Sequence, residues 1–209
     1  MAELSDSLEQ MLDGQADTIG SRIGADPART RTAIHAAVPA LLAALGQNAQ
    51  QGSGLKQAIE RDHDGSIIDQ LAEYLGGSAQ LSPRTTNGAG ILEHTLGDRQ
   101  GEVAQALSAK SGLDLGSIAK LLPLLAPIVM GMLGKKGRSG GGSSGGFNLD
   151  DIGDLLNRER ADARSTNPDI GDILDGFGKK DDARSSTARR DEGGGIMDTL
   201  DDLFGKKGS

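Results

Sequence analysis

The chain has 209 residues, no cysteine and a net charge of −8. That length admits one domain with a substantial tail, and the lack of cysteine excludes a disulfide framework, a thiolate metal site and a cysteine nucleophile. The acidic excess is shared evenly by residues 1–137 and 138–209, so no basic block offers the counterion release that drives nucleic-acid binding.

The first residues, Met1-Ala2-Glu3-Leu4-Ser5-Asp6, lack the basic and apolar regions of a secretory leader. Together with the absent cysteine, this predicts a cytoplasmic protein. Leu4, Leu8, Met11 and Leu12 recur at helical spacing, which predicts an amphipathic first helix ended by Gly14. Asp17–Ile23 reads as a second short helix stopped by Gly24. Asp26 then stands at an N-cap position and Pro27 at the first helical position, where a missing N–H costs nothing. Ile34, Val38, Leu41, Leu42 and Leu45 line one helix face, with Gly46 as its expected C-terminal stop.

A second stretch repeats this pattern without a gap at an offset of 88 positions (Gly24 against Gly112). Gly112-Leu113-Asp114 matches Gly24-Ala25-Asp26, Pro127 matches Pro39, and Leu133-Gly134 matches Leu45-Gly46. Such self-similarity predicts an internal duplication, with related halves at about 12–46 and 100–134. Pro39 and Pro127 each fall inside a helix, where proline costs roughly 3 kcal/mol and bends the axis. The second copy also holds Pro123 and is apolar nearly all round, as a central helix would be. Its uncharged run, Leu121–Leu133, falls short of the roughly 20 residues that span a bilayer. No transmembrane segment is expected, and no binding to a membrane surface.

Between the copies, Leu55–Ile59, Ile67–Leu75, Gly90–Leu96 and Glu102–Leu107 read as short helices bounded by Gly, Pro or Asn. Strand signals are missing. The fold class is therefore all-α, a multihelical domain over residues 1–137.

Residues 138–146 form a Gly/Ser linker. Residues 147–209 are polar and charged, the composition of a disordered Gly/Asp-rich tail. Three acidic–apolar segments recur in it: Phe147–Leu156, Asp169–Phe177 and Ile196–Phe204. The chain's three phenylalanines stand one in each. Mixed acidic and apolar residues can fold on a hydrophobic groove, and repetition on one tether adds avidity. Phe147, Leu155, Leu156, Ile173, Phe177, Leu203 and Phe204 are the candidate partner-binding residues.

Asp62-His63-Asp64-Gly65-Ser66-Ile67 resembles the middle of a calcium-binding loop, in which alternate carboxylates converge on one cation and a glycine permits the sharp turn. Leu71 stands where the bidentate acid belongs, and Asp69 is the only later acid within reach. Asp62, Asp64 and Asp69 are thus the candidate calcium ligands. The competing reading is a turn into a helix, with Ser66 and Asp69 as a capping pair. His35, His63 and His94 show no zinc-ligand spacing. Gly88-Ala89-Gly90 lacks the strand and lysine of a phosphate loop and reads as a helix start. No nucleophile elbow or acid–base pair can be assembled, so no catalytic residue is assigned and no enzyme is expected.

Taken together, Ala36–Leu45, Asp62–Ser66, Gly88–Leu92 and Leu121–Pro127 resemble the bacterial domain of unknown function 937 family, over about residues 8–136. The resemblance implies an all-helical bacterial domain and no catalytic residue or cofactor. The expected function is a scaffold or adaptor module that binds a protein partner or its own copies. The alternatives are a calcium- or cation-responsive regulator using the Asp62–Asp64 loop, and a helical DNA-binding protein, which the charge disfavours.

Overall fold

Local signals set most helix ends. Asp26 Oδ1 accepts hydrogen bonds from the amides of Ala28 and Arg29 at 3.0 and 3.1 Å, so the long helix that follows starts at Pro27. Asn87 Oδ1 does the same for Gly90 at 3.1 Å. The computed structural model describes residues 3–50, 54–139, 153–154, 156–158 and 161. Among these, the elements are α1 (Glu3–Asp13), α2 (Ala16–Ile23), α3 (Pro27–Gln50), α4 (Leu55–Asp62), α5 (Ser66–Asp69), α6 (Leu71–Gly76), α7 (Gly88–Leu96), α8 (Gln100–Ser111) and α9 (Leu115–Ser139). A 3-10 turn at Gly97–Arg99 joins α7 to α8. No strand occurs among the described residues, and the fold is all-α.

Two long helices form the centre. α3 packs on α8, α1, α2, α9, α7 and α4, and α9 packs on α7, α3, α8, α5, α4 and α2. The matched positions Ile34 and Leu122, Val38 and Ala126, and Leu41 and Val129 are all buried. Residues 36–47 of α3 are buried without a break, as enclosed as the second copy was expected to be, while Ala28, Arg29, Arg31, Thr32 and His35 are exposed. Its alanines at 36, 37, 40, 43 and 44 are buried too, and such small side chains let neighbouring helices come close.

The local structure recurs at the offset seen in the sequence. Gly24 and Gly112 both adopt left-handed backbone (φ 78° and 69°) after a short helix. Asp114 caps the amide of Ser117 as Asp26 caps that of Arg29. α3 and α9 then start at Pro27 and Leu115.

Three expectations are corrected. Gly46 does not stop its helix: α3 continues to Gln50, because the glycine serves a close packing contact instead. Ile67–Leu75 is two helices, α5 and α6, broken at Gln70 (φ −114°, ψ 31°). The linker's first residues, 138 and 139, still belong to α9. Apart from these, Leu115–Arg138 is long and apolar enough to cross a membrane by length and composition, and 72% of its most apolar window is buried inside the structure. A helix so enclosed by other helices reads as a core helix.

Proline does not interrupt either central helix. Pro127 has no N–H to offer the carbonyl of Pro123 one turn earlier. That carbonyl lies where a side chain at Gly88 would sit, and a Cβ there would collide with it. A Cα–H of Gly88 takes the place of the missing donor, a weak substitute. One residue on, the Leu124 carbonyl accepts from the Tyr74 hydroxyl at 3.3 Å. Arg22 reaches back from α2 to hold the end of α6, donating from Nη1 to the carbonyls of Tyr74 and Leu75 at 2.7 and 2.8 Å. Burial pushes the Tyr74 phenol above its ordinary range, so it stays protonated and able to donate.

All described residues lie in the unit Met1–Gly171. The tail expectations for Phe147, Leu155, Ile173, Phe177, Leu203 and Phe204 lie outside the described residues.

Candidate functional site

The acidic loop between α4 and α5 is clamped onto α9. Asp69 Oδ1 meets Lys135 Nζ at 2.6 Å, and Arg138 Nη1 donates to the Asp64 carbonyl at 2.8 Å. The His63 carbonyl fills the space beside Gly134 that a Cβ would need, and Ile67 does the same beside Gly131. On the other side, the Thr85 hydroxyl donates to the Asp62 carbonyl at 2.9 Å. Gly65, at φ 91°, makes the turn that brings these groups onto the helix.

The three candidate calcium ligands do not converge. Asp62 Oδ2 takes both Nε and Nη2 of Arg61 at 3.0 Å, and this hydrogen bonding holds its carboxyl below the usual carboxylate range. Asp64 Oδ1 accepts from the Ser66 amide at 3.0 Å, and the hydrogen bonds from Ser66 lower its carboxyl likewise. Asp69 faces Lys135. Asp64, rather than Ser66, therefore caps α5, and Asp69 leaves the expected capping pair for an interhelical one. Glu60–Asp62 and Ser66–Asp69 are helical, and Leu71 leaves the loop without the bidentate acid of its last position. Among the described residues no group of three His, Asp or Glu side chains is placed to hold a metal ion.

His63 is 3% exposed and its Nδ1 has no hydrogen-bond partner. Burial pushes its pKa below the ordinary histidine value, against the pull of Asp62 and Asp64, so the ring is neutral in the folded protein near pH 7. Sequence reading treated it only as part of the acidic motif. His35 lies on an exposed edge, with Nδ1 2.6 Å from Glu9 and Nε2 3.1 Å from Asp13, tying α3 to α1. Burial raises the Glu9 pKa, partly offset by His35.

A cavity of about 450 Å³ opens beside the clamp, between α3, α4 and α7. Leu45, Leu55, Ile91 and Met130 line it together with Arg61, Arg84, His63 and His94. Several of its polar groups are committed to partners, although His63 Nδ1 is not. Thr95 Oγ1 donates to the Ile91 carbonyl at 2.6 Å, Asn48 Nδ2 to the Thr95 carbonyl at 2.8 Å, and Arg61 is held by Asp62. The arrangement ties helices together and pairs no nucleophile with a base among the described residues.

Of the tail candidates, Leu156 is described, and it is 0% exposed. Gly153, Asp154 and Leu156–Arg158 are helical. Leu156 lies against Gly46 of α3: a methyl group on Gly46 would meet Leu156 Cβ at 3.0 Å and its backbone oxygen at 3.3 Å. Glycine thus opens a notch in α3 that a leucine from the tail fills. No periodicity marks such a notch, and the sequence signal that bore on it was the recurrence of acidic–apolar segments.

Neither a curated protein nor a solved structure matches the chain. A family model does match, over residues 6–136, a span that takes in the acidic loop, Gly46 and most of both central helices. The chain belongs to DUF937, a family of bacterial proteins of unknown function.

Proposed function

We propose that this chain is a non-enzymatic, cytoplasmic interaction module, a scaffold or adaptor that needs no cofactor. Its helical domain receives short acidic–apolar protein segments, from a partner or from its own copies. One observation carries this reading: Leu156, within the first such segment, is fully buried against the helical domain. The second and third segments share that segment's mix of Asp, Leu, Ile and Phe, which makes them ligands of the same class. Several copies of one ligand on a tether give avidity without any new contact.

The test replaces Phe147, Phe177 and Phe204 by Ala, singly and together, in the full chain. Sedimentation velocity across a concentration series reads self-association, and titration with synthetic segment peptides reads segment binding. Stepwise weakening is expected, with an unchanged melting temperature for the helical domain. Identical sedimentation and peptide binding in every variant contradicts the reading.

We also infer that α2–α3 and α8–α9 descend from one duplicated unit. The shared left-handed glycines, aspartate caps and helix starts at one offset support it. Overlaying the two helix pairs in a crystal structure tests this. Bends that fail to coincide at Pro39 and Pro127 contradict it.

A further inference from the structure

We infer that the Gly46 notch is a docking site occupied in cis by the chain's own first tail segment, so that Leu156 acts as a plug limiting access to α3. This rests on the reading above, that the domain receives acidic–apolar segments, and adds which site receives them and what regulates it. Three observations carry it. First, Gly46 lies within a continuous helix, where glycine is unfavourable relative to alanine; the residue gains its use from the contact it permits. Second, the three atoms nearest to a methyl placed on Gly46 all belong to Leu156. The space beside Gly46 is taken up by the backbone and Cβ of that residue, whose side chain is buried. Third, the segment is helical at Gly153, Asp154 and Leu156–Arg158, and Leu156 is buried while Asp154, Asn157 and Arg158 are exposed. Among the described residues of this segment, Leu156 is the buried one.

The tether favours the chain's own segment. Residues 140–152 join the end of α9 to Gly153 and, extended, span on the order of 40 Å, about the width of a small domain. A short flexible tether holds its ligand at an effective concentration in the millimolar range. Even a weak contact at Leu156 is then populated in cis, and a competing segment must displace it. Gln47, next to the notch, is 9% exposed and its Oε1 has no hydrogen-bond partner, leaving a spare acceptor for an incoming donor.

Amide hydrogen exchange read by mass spectrometry tests the plug on the full chain. Two variants are compared with wild type: Leu156→Asp, which alters only the tail side, and Gly46→Leu, whose side chain enters the space of Leu156. In wild type, the amides of residues 153–158 should exchange at least about tenfold more slowly than in either variant. The amides of α9 should be unchanged in Leu156→Asp. Protection at 153–158 that is absent from wild type, or survives Leu156→Asp, overturns the proposal. Protection that rises with protein concentration assigns the notch to a second copy and overturns the cis assignment. The two readings fail separately. If the plug is lost from the data while the phenylalanine series still weakens association, the interaction module stands without this site. If protection responds as expected while no segment peptide ever binds, the plug stands and the wider reading falls.

Discussion

His63 carries the clearest pH signature in the chain. Its folded pKa is lowered, chiefly by burial, so the unfolded chain takes up a proton that the folded protein refuses. Stability is then full above the ordinary histidine value of about 6.5 and declines as pH falls below it toward the folded value. Thermal melts from pH 8 to pH 5 should show this decline. His63→Leu should flatten it and abolish the cost of the unpartnered Nδ1. An equal slope in the variant contradicts the assignment. Asp62, Asp64 and Asp114 have lowered pKa values and lose their contribution only below the ordinary carboxylate range, in a more acidic window. Glu9, with a raised value, works in the opposite direction, which is why the difference between wild type and variant is the quantity to read. Two glycines make a second contrast at this scale. Gly88→Ala sets a Cβ into the Pro123 carbonyl, a backbone atom inside a core helix that cannot step aside. It should cost about 3 kcal/mol and lower the melting temperature by roughly 6–12 °C. Gly46→Ala meets only the tail's leucine at its nearest contacts, so its effect on the helical core should stay within about 1 kcal/mol. Similar losses at both positions would contradict the distinction between a core contact and a notch.

At the scale of elements, the acidic loop is an interhelical clamp. Its carboxylates face Arg61, Lys135 and the Ser66 amide, and its backbone carbonyls face Arg138 and Thr85. Thermal melts in millimolar calcium and in chelator should therefore coincide. Asp64→Asn together with Asp69→Asn should lower the melting temperature equally in both. A rise with calcium that the double variant abolishes would restore the cation-responsive reading, because a ligand of the native state stabilises it by mass action. The helix starts were legible because their causes are local: Asp26 with Pro27, and Asn87 before Gly88, act within one turn. The break at Gln70 was hidden, since Ile67, Leu71 and Leu75 keep helical spacing across it. Gly46 was misread for a related reason. A glycine after a leucine run looks like a stop in sequence, while its use here is a tertiary contact made by Leu156, 110 positions later in numbering. The engagement of the acidic loop was hidden likewise, because Lys135 and Arg138, which contact it, lie on a helix distant in sequence.

For the whole molecule, on the proposed reading, the two central helices and their Gly-mediated contacts form a receiving surface and the tail is the source of its ligands. The left-handed glycines and aspartate caps shared by the starts of α3 and α9 concern architecture; the proposed notch at Gly46 concerns use. Their glycines differ in what they receive: Gly134 is filled by the His63 carbonyl from within the helical domain, and Gly46 by a residue of the tail. An exchangeable occupant at only one of two matched positions gives one docking site. Legibility ended here too, since the tail's three segments could be read as ligands from composition, but their receptor could not. The most direct measurement is methyl and amide NMR of the full chain carrying Leu156→Asp, which vacates the notch, titrated with a synthetic peptide spanning Asp169–Phe177. The account predicts saturable shifts clustered at Leu42, Leu45, Gly46 and Gln47 of α3, and weaker binding to the wild-type chain, whose own segment competes. Shifts centred elsewhere, or none up to millimolar peptide, would contradict it.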